Sequence, residues 1–547
     1  IPHSLGTPIE QWLDALAAVP EVVRVVSVVD PAPVLDRCPL VLCGDRLYLQ
    51  RHWVDECAIA ASMRQRAALP DAAPLSAHGS ALLDVLLPVL DEHGKPELQR
   101  VAVDTSLSRP VSLIVGGPGT GKTHTLARLL AVLLHDAVSN GRDIQVALAA
   151  PTGKAAQRMK ESIEAALASD ALVANVPEGV RERLRSVRPL TIHRLLGPLP
   201  VQRQRFRHDS ATPLRYDVVV IDETSMVAMP LLARLVEAVR PDARLVLVGD
   251  PDQLESVELG AVLRDLATVA VPGDGAQNLS PLASHGVRLL RSPRVEVDSP
   301  IALLADAVRA GDAALAAERL QRATSPTDVG PVVKEGAVRW LVADSPGAAE
   351  AVESVRTLLE PTFRNVLEAA ESGDAESALR EIGHGRILCA HRHGPHGVSH
   401  WNVLAERWLH GPSGPGRAWY PGRPLLVTRN APRLGLSNGD TGVLIRDGGR
   451  LVAVFRGAFG LLQLEPVQLD DIETAFATTV HKSQGSEYPD VALVLPPATS
   501  PLASRELLYT GITRTRSRLL VVGAAESLER SVVSTSHRMT GLADAVR

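Results

Sequence analysis

Eight consecutive residues have the pattern G-x-x-x-x-G-K-T, which is typical of a loop that binds phosphate groups. They are Gly116, Gly117, Pro118, Gly119, Thr120, Gly121, Lys122 and Thr123. Because glycine has no side chain, the main-chain N–H groups of such a loop can close around phosphate oxygens, and the helix that follows adds positive partial charge. We expect Lys122 to reach the β- and γ-phosphates of ATP, and the hydroxyl of Thr123 to ligate Mg²⁺.

Two adjacent acidic residues, Asp222 and Glu223, follow a short apolar run. An acid at the end of a buried strand can hold Mg²⁺ directly or through water, and we assign that role to Asp222. Glu223 is then placed to act as general base for the attacking water. Gln253 follows a second apolar run, and its neutral amide can sense the γ-phosphate. The alternative for Gln253 is an ordinary turn.

Two further stretches offer hydroxyls, main-chain N–H groups and a cation, which can hold a sugar–phosphate backbone without reading its bases. They contain Pro151, Thr152 and Lys154 in one stretch and Thr191 and His193 in the other. In the second half of the chain, Arg514 stands at the end of a predicted helix that begins near Arg505. An arginine from a separate lobe suits a γ-phosphate whose charge grows in the transition state. The alternative is a solvated arginine-rich helix.

Strand and helix patterns alternate in both halves, which predicts an α/β fold of parallel sheets with crossover helices. Strands are predicted at 111–115, 145–150, 217–222, 244–250, 386–390, 491–495 and 519–522. A hairpin is predicted at 39–49, a helix from Ala81 to about Pro88, and a mostly helical segment at 301–380. We expect an N-terminal accessory or docking domain at 1–95, two lobes at 96–288 and 289–547, and a small β-barrel inserted at about 418–474.

The composition is that of a globular chain without a global basic field. The 547 residues carry a formal net charge of −5, with 45% hydrophobic and 22% charged residues. Any contact with nucleic acid must therefore come from local grooves. No apolar run approaches the ~18 residues of a membrane span, and no signal peptide is visible. Three of the four cysteines lie near His52, but their spacing favours free thiols in a reducing cytoplasm over a zinc site.

Seven motifs, taken in order, resemble those of the superfamily 1 helicases. They read GGPGTGKT, APTGKAA, TIHRLLG, VVVIDETSM, GDPDQL, TTVHKSQGSE and YTGITRTR. Two stretches outside these motifs, 47–53 (LYLQRHW) and 434–440 (LGLSNGD), favour the RecD family, the α subunits of exodeoxyribonuclease V (RecBCD). This resemblance runs from about Leu40 to the C-terminus.

The resemblance implies two RecA-like P-loop lobes with ATP between them. Gln99 would contact the adenine, Glu487 the ribose, and Arg514 would be the arginine finger. The track for a single strand would be formed by Pro151, Thr152, Lys154, Thr191, His193, Thr479, His481, Lys482 and Ser483. The chain departs from the family in motif IV, where Pro293 and Val295 replace aromatic residues around Arg294. Arg294 is the candidate for the second γ-phosphate arginine.

The resemblance further implies 5′→3′ movement on single-stranded DNA and action at duplex DNA ends in recombinational repair. Its partners would be RecB-like and RecC-like subunits in a heterotrimer. We expect an ATP-hydrolysing DNA helicase without a nuclease centre, since none of the six lysines has Asp or Glu two positions earlier. A free-standing helicase and a docking subunit with a vestigial motor are the alternatives. The intact Lys122, Asp222, Glu223 and Arg514 argue against the vestigial motor.

Overall fold

The computed structural model shows a mixed α/β chain with two parallel sheets. It describes residues 8–26, 38–91, 94–199, 202–256, 260–271, 280–290, 299–323, 338–343, 345–416, 418–457, 460–536 and 540–547. Within these ranges, no helix has both the length and the apolar character that a membrane crossing needs.

The N-terminal region forms a three-stranded sheet and three helices. Its elements are α1 (Ile9–Ala17), β1 (Val23–Val26), β2 (Leu40–Cys43), β3 (Arg46–Leu49), α2 (Gln50–Ala67) and α3 (Ala77–Leu86). The predicted hairpin is confirmed, because β2 and β3 pair antiparallel, and β1 adds a parallel strand that we did not predict. Helix α3 begins before the predicted start, since Ser76 caps it by accepting a hydrogen bond from the Gly79 N–H.

The next part of the chain is built on a six-stranded parallel sheet, and we call it the first lobe. Its elements are α4 (Leu98–Ser108), β4 (Val111–Gly116), α5 (Lys122–Ser139), β5 (Val146–Ala150), α6 (Gly153–Leu167), α7 (Asp170–Asn175), α8 (Glu178–Ser186), β6 (Leu190–Thr191), α9 (Ile192–Leu196), β7 (Pro198–Leu199), β8 (Gln202–Phe206), β9 (Val218–Ile221), α10 (Met229–Ala238), β10 (Arg244–Gly249), α11 (Val262–Ala270) and β11 (Gly286–Leu289). The strand order is β11-β4-β10-β9-β5-β6, and β7 and β8 form a separate antiparallel pair.

Helices cover both faces of this sheet. Leu113 of β4 belongs to a core that includes Ile59 and Met63 of α2, whereas Ile114 belongs to a second core with Leu126 of α5. Since both faces are buried, the strands are continuous apolar runs, and this is why the sequence predicts them well. The polar residues that follow β4, β5, β9 and β10 all lie at one edge of the sheet.

A second parallel sheet begins after these elements, and the part of the chain built on it is the second lobe. Its first elements are α12 (Pro300–Ala310), α13 (Ala313–Ala323), β12 (Val338–Val342), α14 (Ala349–Ser372), α15 (Ala375–Glu381), β13 (Gly385–Cys389) and α16 (Val398–His410). The prediction of a mostly helical segment at 301–380 is confirmed, with one exception at 338–342. These residues form strand β12, because they pair in parallel register with a strand from the end of the chain.

An antiparallel sheet is inserted into the second lobe. Its strands are β14 (Pro424–Val427), β15 (Thr441–Asp447), β16 (Arg450–Gly457), β17 (Gly460–Leu464) and β18 (Ile472–Thr474). Their order is β17-β16-β15-β14-β18. In the described residues the pairing does not return from β18 to β17, so the closed barrel stays a prediction. Helix α14 connects the two sheets, since Phe363 packs in the core of the second lobe and Val366 in the core of the insert.

The remaining elements complete the second lobe and return to the start of the chain. They are β19 (Ala477–Thr479), β20 (Tyr488–Val494), α17 (Arg505–Ile512), β21 (Thr515–Gly523), α18 (Ala525–Val533) and α19 (Leu542–Val546). The sheet order is β12-β21-β20-β13-β19, with all pairs parallel. Leu542 and Val546 of α19 join the core that holds α2 and the first lobe.

Candidate functional site

A cleft lies between the two lobes, and both contribute to its wall. The first lobe supplies Lys122, Thr123, Asp222, Glu223 and Gln253, among others, and the second supplies Glu487 and Arg514. Main-chain and side-chain bonds join the lobes beside it. The Leu254 N–H donates to the Thr510 hydroxyl at 2.7 Å, and the Gln484 amide donates to the Leu254 carbonyl at 2.5 Å.

The glycine-rich loop connects β4 to α5 at the floor of the cleft. Gly119 and Gly121 have φ of 74° and 91°, in the left-handed region that favours glycine. The Thr120 hydroxyl donates to the Gly117 carbonyl at 2.9 Å. The Lys122 ammonium group donates to the carbonyls of Gly116 and Gly117 at 2.6 and 2.8 Å. The lysine is thus held within the loop, where phosphate oxygens can compete for its protons.

Two acids follow β9 at the same edge of the sheet. Burial raises the pKa of Asp222 to about 6, and the nearby Glu223 adds to the rise, while Lys122 lowers it. The Glu223 N–H donates to Asp222 Oδ1 at 2.8 Å. Glu223 itself has a φ of 51°, a strained conformation of the kind found at functional sites. The carboxylate of Asp222 and the hydroxyl of Thr123 line one cleft, and such oxygen donors suit Mg²⁺.

Gln253 is fixed by a buried carboxylate. Its amide donates to Asp250 Oδ2 at 2.9 Å, and Asp250 is only 1% exposed. Burial raises the pKa of Asp250. From the second lobe, the Tyr509 hydroxyl donates to the same oxygen at 3.3 Å. The position of Gln253 therefore depends on contact between the lobes.

Arg514 is 2% exposed and lies just beyond the end of α17. Its Nε donates to the Thr510 carbonyl and its Nη1 to the Ser486 carbonyl, both at 3.2 Å. Two carbonyls of its own lobe thus orient the guanidinium group at the wall of the cleft.

Arg158 also lines the cleft, and our reading of the sequence missed it. It lies on α6, where its Nη2 is 3.3 Å from Glu487 Oε2, and Arg516 approaches the same oxygen at 2.6 Å. Burial alone would raise the pKa of Glu487, but Arg158, Arg516 and Arg514 outweigh it and lower the pKa to about 2. The available signal was the i, i+4 spacing that puts Arg158 on the helix face of Lys154.

A second, larger cavity of about 1220 Å³ lies beside the start of α6, and we call it the channel. The residues of the predicted strand track in its wall are Pro151, Thr152, Lys154, His193, His481 and Lys482. The two lobes, α2 and the insert all contribute to this wall. Burial lowers the pKa of Lys154. The Lys482 ammonium group pairs with Glu473 at 2.7 Å.

Some predicted residues lie outside both walls. Thr191 caps α9 by accepting from the Arg194 N–H, and Thr479 accepts from the Lys482 N–H, both at 3.2 Å. Ser483 is fully buried and donates to the Val480 carbonyl at 2.7 Å. Gln99 lies in the first turn of α4 and is not among the residues that line the cleft. Arg294 lies outside the described residues.

Known proteins resemble this chain along most of its length. A family model for AAA domains matches residues 99–259, and one for UvrD-like helicase C-terminal domains matches residues 474–522. The chain is 40% identical to RecBCD enzyme subunit RecD of Mycolicibacterium smegmatis, over 98% of this chain and 87% of the relative. It is 29% identical to the ATP-dependent RecD2 DNA helicase of Deinococcus radiodurans, over 92% and 59% of the two chains. A structure of Bacteroides Pif1 helicase with ADP-AlF3 and ssDNA is similar at 14% identity, with a TM-score of 0.40, over 82% and 92%.

Proposed function

The chain belongs to the RecD family of RecBCD enzyme subunits, and on that premise we propose that it is an ATP-dependent DNA helicase that moves 5′→3′ on single-stranded DNA. The M. smegmatis relative is named as a subunit of the RecBCD enzyme. The D. radiodurans relative is named as an ATP-dependent DNA helicase. These names support the activity proposed for this chain.

The observation that carries the proposal is that one cleft receives residues from both lobes. A nucleotide held by Lys122 on one side and Arg514 on the other draws the lobes together. Its hydrolysis removes the γ-phosphate that both residues contact, so the lobes are released. Each cycle of closing and opening can then move the second lobe relative to the first.

We assign a step of the hydrolysis to each group at the cleft. Lys122 and the loop N–H groups bind the phosphates, and Thr123 and Asp222 would hold Mg²⁺, which neutralises phosphate charge. Glu223 accepts the proton of the attacking water. Gln253 senses the γ-phosphate, and Arg514 stabilises the charge that develops on it. Glu487 is available to the ribose hydroxyls.

Helix α6 is the physical link from hydrolysis to movement. Lys154 lies in the channel wall and Arg158, one turn later, lies in the cleft wall. A helix transmits displacement along its axis because its main chain is rigid. A shift of α6 relative to the second lobe therefore changes the grip on a strand in the channel, where Thr152, Lys154, His193, His481 and Lys482 would contact phosphates.

The proposal extends to the assembly. We place the chain in a heterotrimer with RecB-like and RecC-like subunits, acting on duplex DNA ends in the cytoplasm. Within the chain, we propose an accessory domain at 1–95, two lobes at 96–288 and 289–547, and a barrel-like insert at about 418–474. The separate sheets of the first lobe, the second lobe and the insert support this division.

Strand displacement tests the proposal, with Glu223→Gln as the matched variant. The wild-type chain should unwind a duplex with a 5′ single-stranded tail when ATP and Mg²⁺ are present, and leave a 3′-tailed duplex intact. The amide of the variant cannot accept a proton, so the variant should bind ATP and unwind neither substrate. Unwinding of the 3′-tailed duplex would contradict the direction. Absence of DNA-stimulated hydrolysis in the wild-type chain would indicate a vestigial motor.

A further inference from the structure

The two stretches that distinguish this chain from other superfamily 1 helicases converge on the channel. Residues 47–53 belong to the N-terminal region and residues 434–440 to the insert, far apart in sequence. Gln50, Arg51 and His52 from the first stretch lie in the channel wall, as do Asn438 and Gly439 from the second. The wall therefore has two parts that the common helicase motifs do not supply.

The N-terminal part of this wall is rigidly anchored. Helix α2 starts at Gln50, and Trp53 in its first turn is 2% exposed. The Trp53 ring packs edge to face on Tyr48, with the ring centres 5.1 Å apart. Trp53 also joins the core that α2 shares with the first lobe. Because one side of this turn is fixed in the core, exposed Arg51 is held at the channel.

Arg51 differs in its surroundings from Arg234 and Lys482, two other cations of the wall. Arg234 pairs with Asp55 at 2.8 Å, and Lys482 pairs with Glu473 at 2.7 Å, so nearby carboxylates offset their charges. Within the described residues, no carboxylate lies within ion-pair distance of Arg51. Its Nε donates to His52 Nε2 at 3.3 Å, which leaves the two terminal amino groups of the guanidinium fork for another acceptor.

We propose that Arg51 is a phosphate-binding residue for single-stranded DNA, supplied to the channel by the N-terminal region, and that His52 is its positioning residue. This inference rests on the proposed function. A guanidinium fork matches two phosphate oxygens at once, and its charge persists at any physiological pH. The N-terminal region then binds the single-stranded DNA in addition to packing on the first lobe.

The imidazole of His52 suits this positioning role. Burial lowers the pKa of His52, and the neighbouring Arg51 lowers it further, while Asp55 opposes the shift. The ring is therefore neutral at physiological pH, and its Nε2 accepts from Arg51 without adding positive charge. Across the α2–α10 contact, Asp55 pairs with Arg234 at 2.8 Å.

The insert completes the wall by close approach to α6. A Cβ atom on Gly153 would lie 2.9 Å from the Ser437 hydroxyl, so the turn at 437–440 lies directly on the first turn of α6. The Ser437 N–H donates to Asp440 Oδ2 at 2.7 Å, which fixes the turn. The wall is thus continuous from Lys154 to the insert. A DNA strand bound at Lys154 would run along the same cavity, whose wall also includes Arg51.

Binding of a labelled oligothymidine to the full chain, measured by fluorescence anisotropy over a range of salt concentrations, tests the inference. Arg51→Ala should weaken binding on the order of tenfold at low salt. It should also reduce the slope of log affinity against log salt by about 0.7, the value for one lost phosphate contact to a single strand. Arg51→Lys should keep the slope and recover affinity only in part, because a point charge lacks the fork.

Arg64→Ala is the matched control, since Arg64 lies on the same helix outside the channel wall. Its affinity and slope should equal those of the wild-type chain. His52→Ala should weaken binding alone but add nothing in the Arg51→Ala background, because a positioning residue acts through its partner. Equal thermal unfolding midpoints would show that the variants are folded.

The outcomes separate this inference from the proposed function. If Arg51→Ala keeps the wild-type affinity and slope while Lys154→Ala weakens binding, the strand binds in the channel without Arg51 and the inference fails. If the wild-type chain binds no single strand at all, the proposed function fails. A further loss of DNA affinity when His52→Ala is added to Arg51→Ala would refute the positioning role.

Discussion

Arg158 Nη2 lies 3.3 Å from Glu487 Oε2, and this ion pair joins the two lobes across the cleft. Arg516, in the second lobe, approaches the same carboxylate oxygen at 2.6 Å. Glu487 thus has one partner from each lobe. Only Arg158 also lines the cleft, so the two arginines share a partner but differ in their access to a nucleotide.

Replacement of Arg158 should weaken ATP binding. Arg158→Ala removes a guanidinium group from the wall of the cleft, and we expect KM for ATP to rise about tenfold or more, as for loss of a charged hydrogen bond. Arg516→Ala removes the other partner of Glu487 and should raise KM much less. Steady-state ATPase assays and a fluorescent nucleotide titration would measure both effects. An equal rise in KM for ATP in the two variants would mean that Arg158 acts only through Glu487.

Replacement of Arg514 should affect turnover more than binding. Its Nε and Nη1 are held by carbonyls of the second lobe, so the guanidinium is placed in advance of the reaction. We expect Arg514→Ala to bind ATP nearly normally and to lose about 10³-fold or more in DNA-stimulated kcat. Arg514→Lys should rescue poorly, because it lacks the planar fork. Lost affinity with preserved turnover would instead make Arg514 a ground-state ligand.

Loss of the Tyr509 hydroxyl should weaken the coupling between the lobes. This hydroxyl bonds Asp250 at 3.3 Å, and a Cβ atom on Gly117 would lie 2.8 Å from it. We expect Tyr509→Phe to cost about 1 kcal/mol of stability and to reduce ATP hydrolysis, since Asp250 positions Gln253. Tyr420→Phe is the control, because it also removes a buried tyrosine–carboxylate bond, at 2.7 Å to Glu406, away from the cleft. Similar ATPase rates in both variants would contradict this coupling.

Glu56 should make the stability of the chain depend on pH. It is 1% exposed, accepts from the Gly541 N–H at 3.0 Å, and burial raises its pKa from 4.5 to about 7. The folded chain therefore binds this proton more tightly than the unfolded chain does. The stability that Glu56 contributes is fully present below about pH 4.5 and is lost as the pH rises through about 7, by an amount on the order of 3 kcal/mol.

Glu56→Gln should remove that dependence and keep the carbonyl oxygen that accepts from Gly541. Its thermal unfolding midpoint should exceed that of the wild-type chain above about pH 7 and change less between acidic and neutral pH. Asp45→Asn, at an exposed position of the same region, should leave the wild-type pH profile unchanged. A Glu56→Gln profile that parallels the wild-type one would show that another group titrates.

Local patterns in the sequence predicted the features that depend on neighbouring residues. The loop at 116–123 was predictable because strand, glycine loop and helix follow one another directly, and β4 extends only one residue beyond its predicted end. The buried strands were found because helices cover both faces of the sheets, which makes each strand a continuous apolar run. The predicted RecD family is confirmed by the identity with the M. smegmatis protein.

Features that depend on pairing between distant residues were decided by the tertiary structure. Strand β12 was not predicted within its mostly helical segment, and it forms because β21, from the end of the chain, pairs with it. Arg158 with Glu487 and Tyr509 with Asp250 unite residues from different lobes. No local period marks such pairs, since a charged or hydroxyl side chain has the same sequence signature whether solvent or a distant partner surrounds it.

Local sequence therefore predicts a nucleotide-binding site, because the phosphate loop and the two acids each follow a strand of one sheet. Which further residues reach the cleft and the channel depends on how distant segments pack. Arg51 illustrates the reason: its place in the wall of the channel follows from how α2 packs on the first lobe. That packing is the sum of many apolar contacts between distant segments, and no single stretch of sequence encodes it.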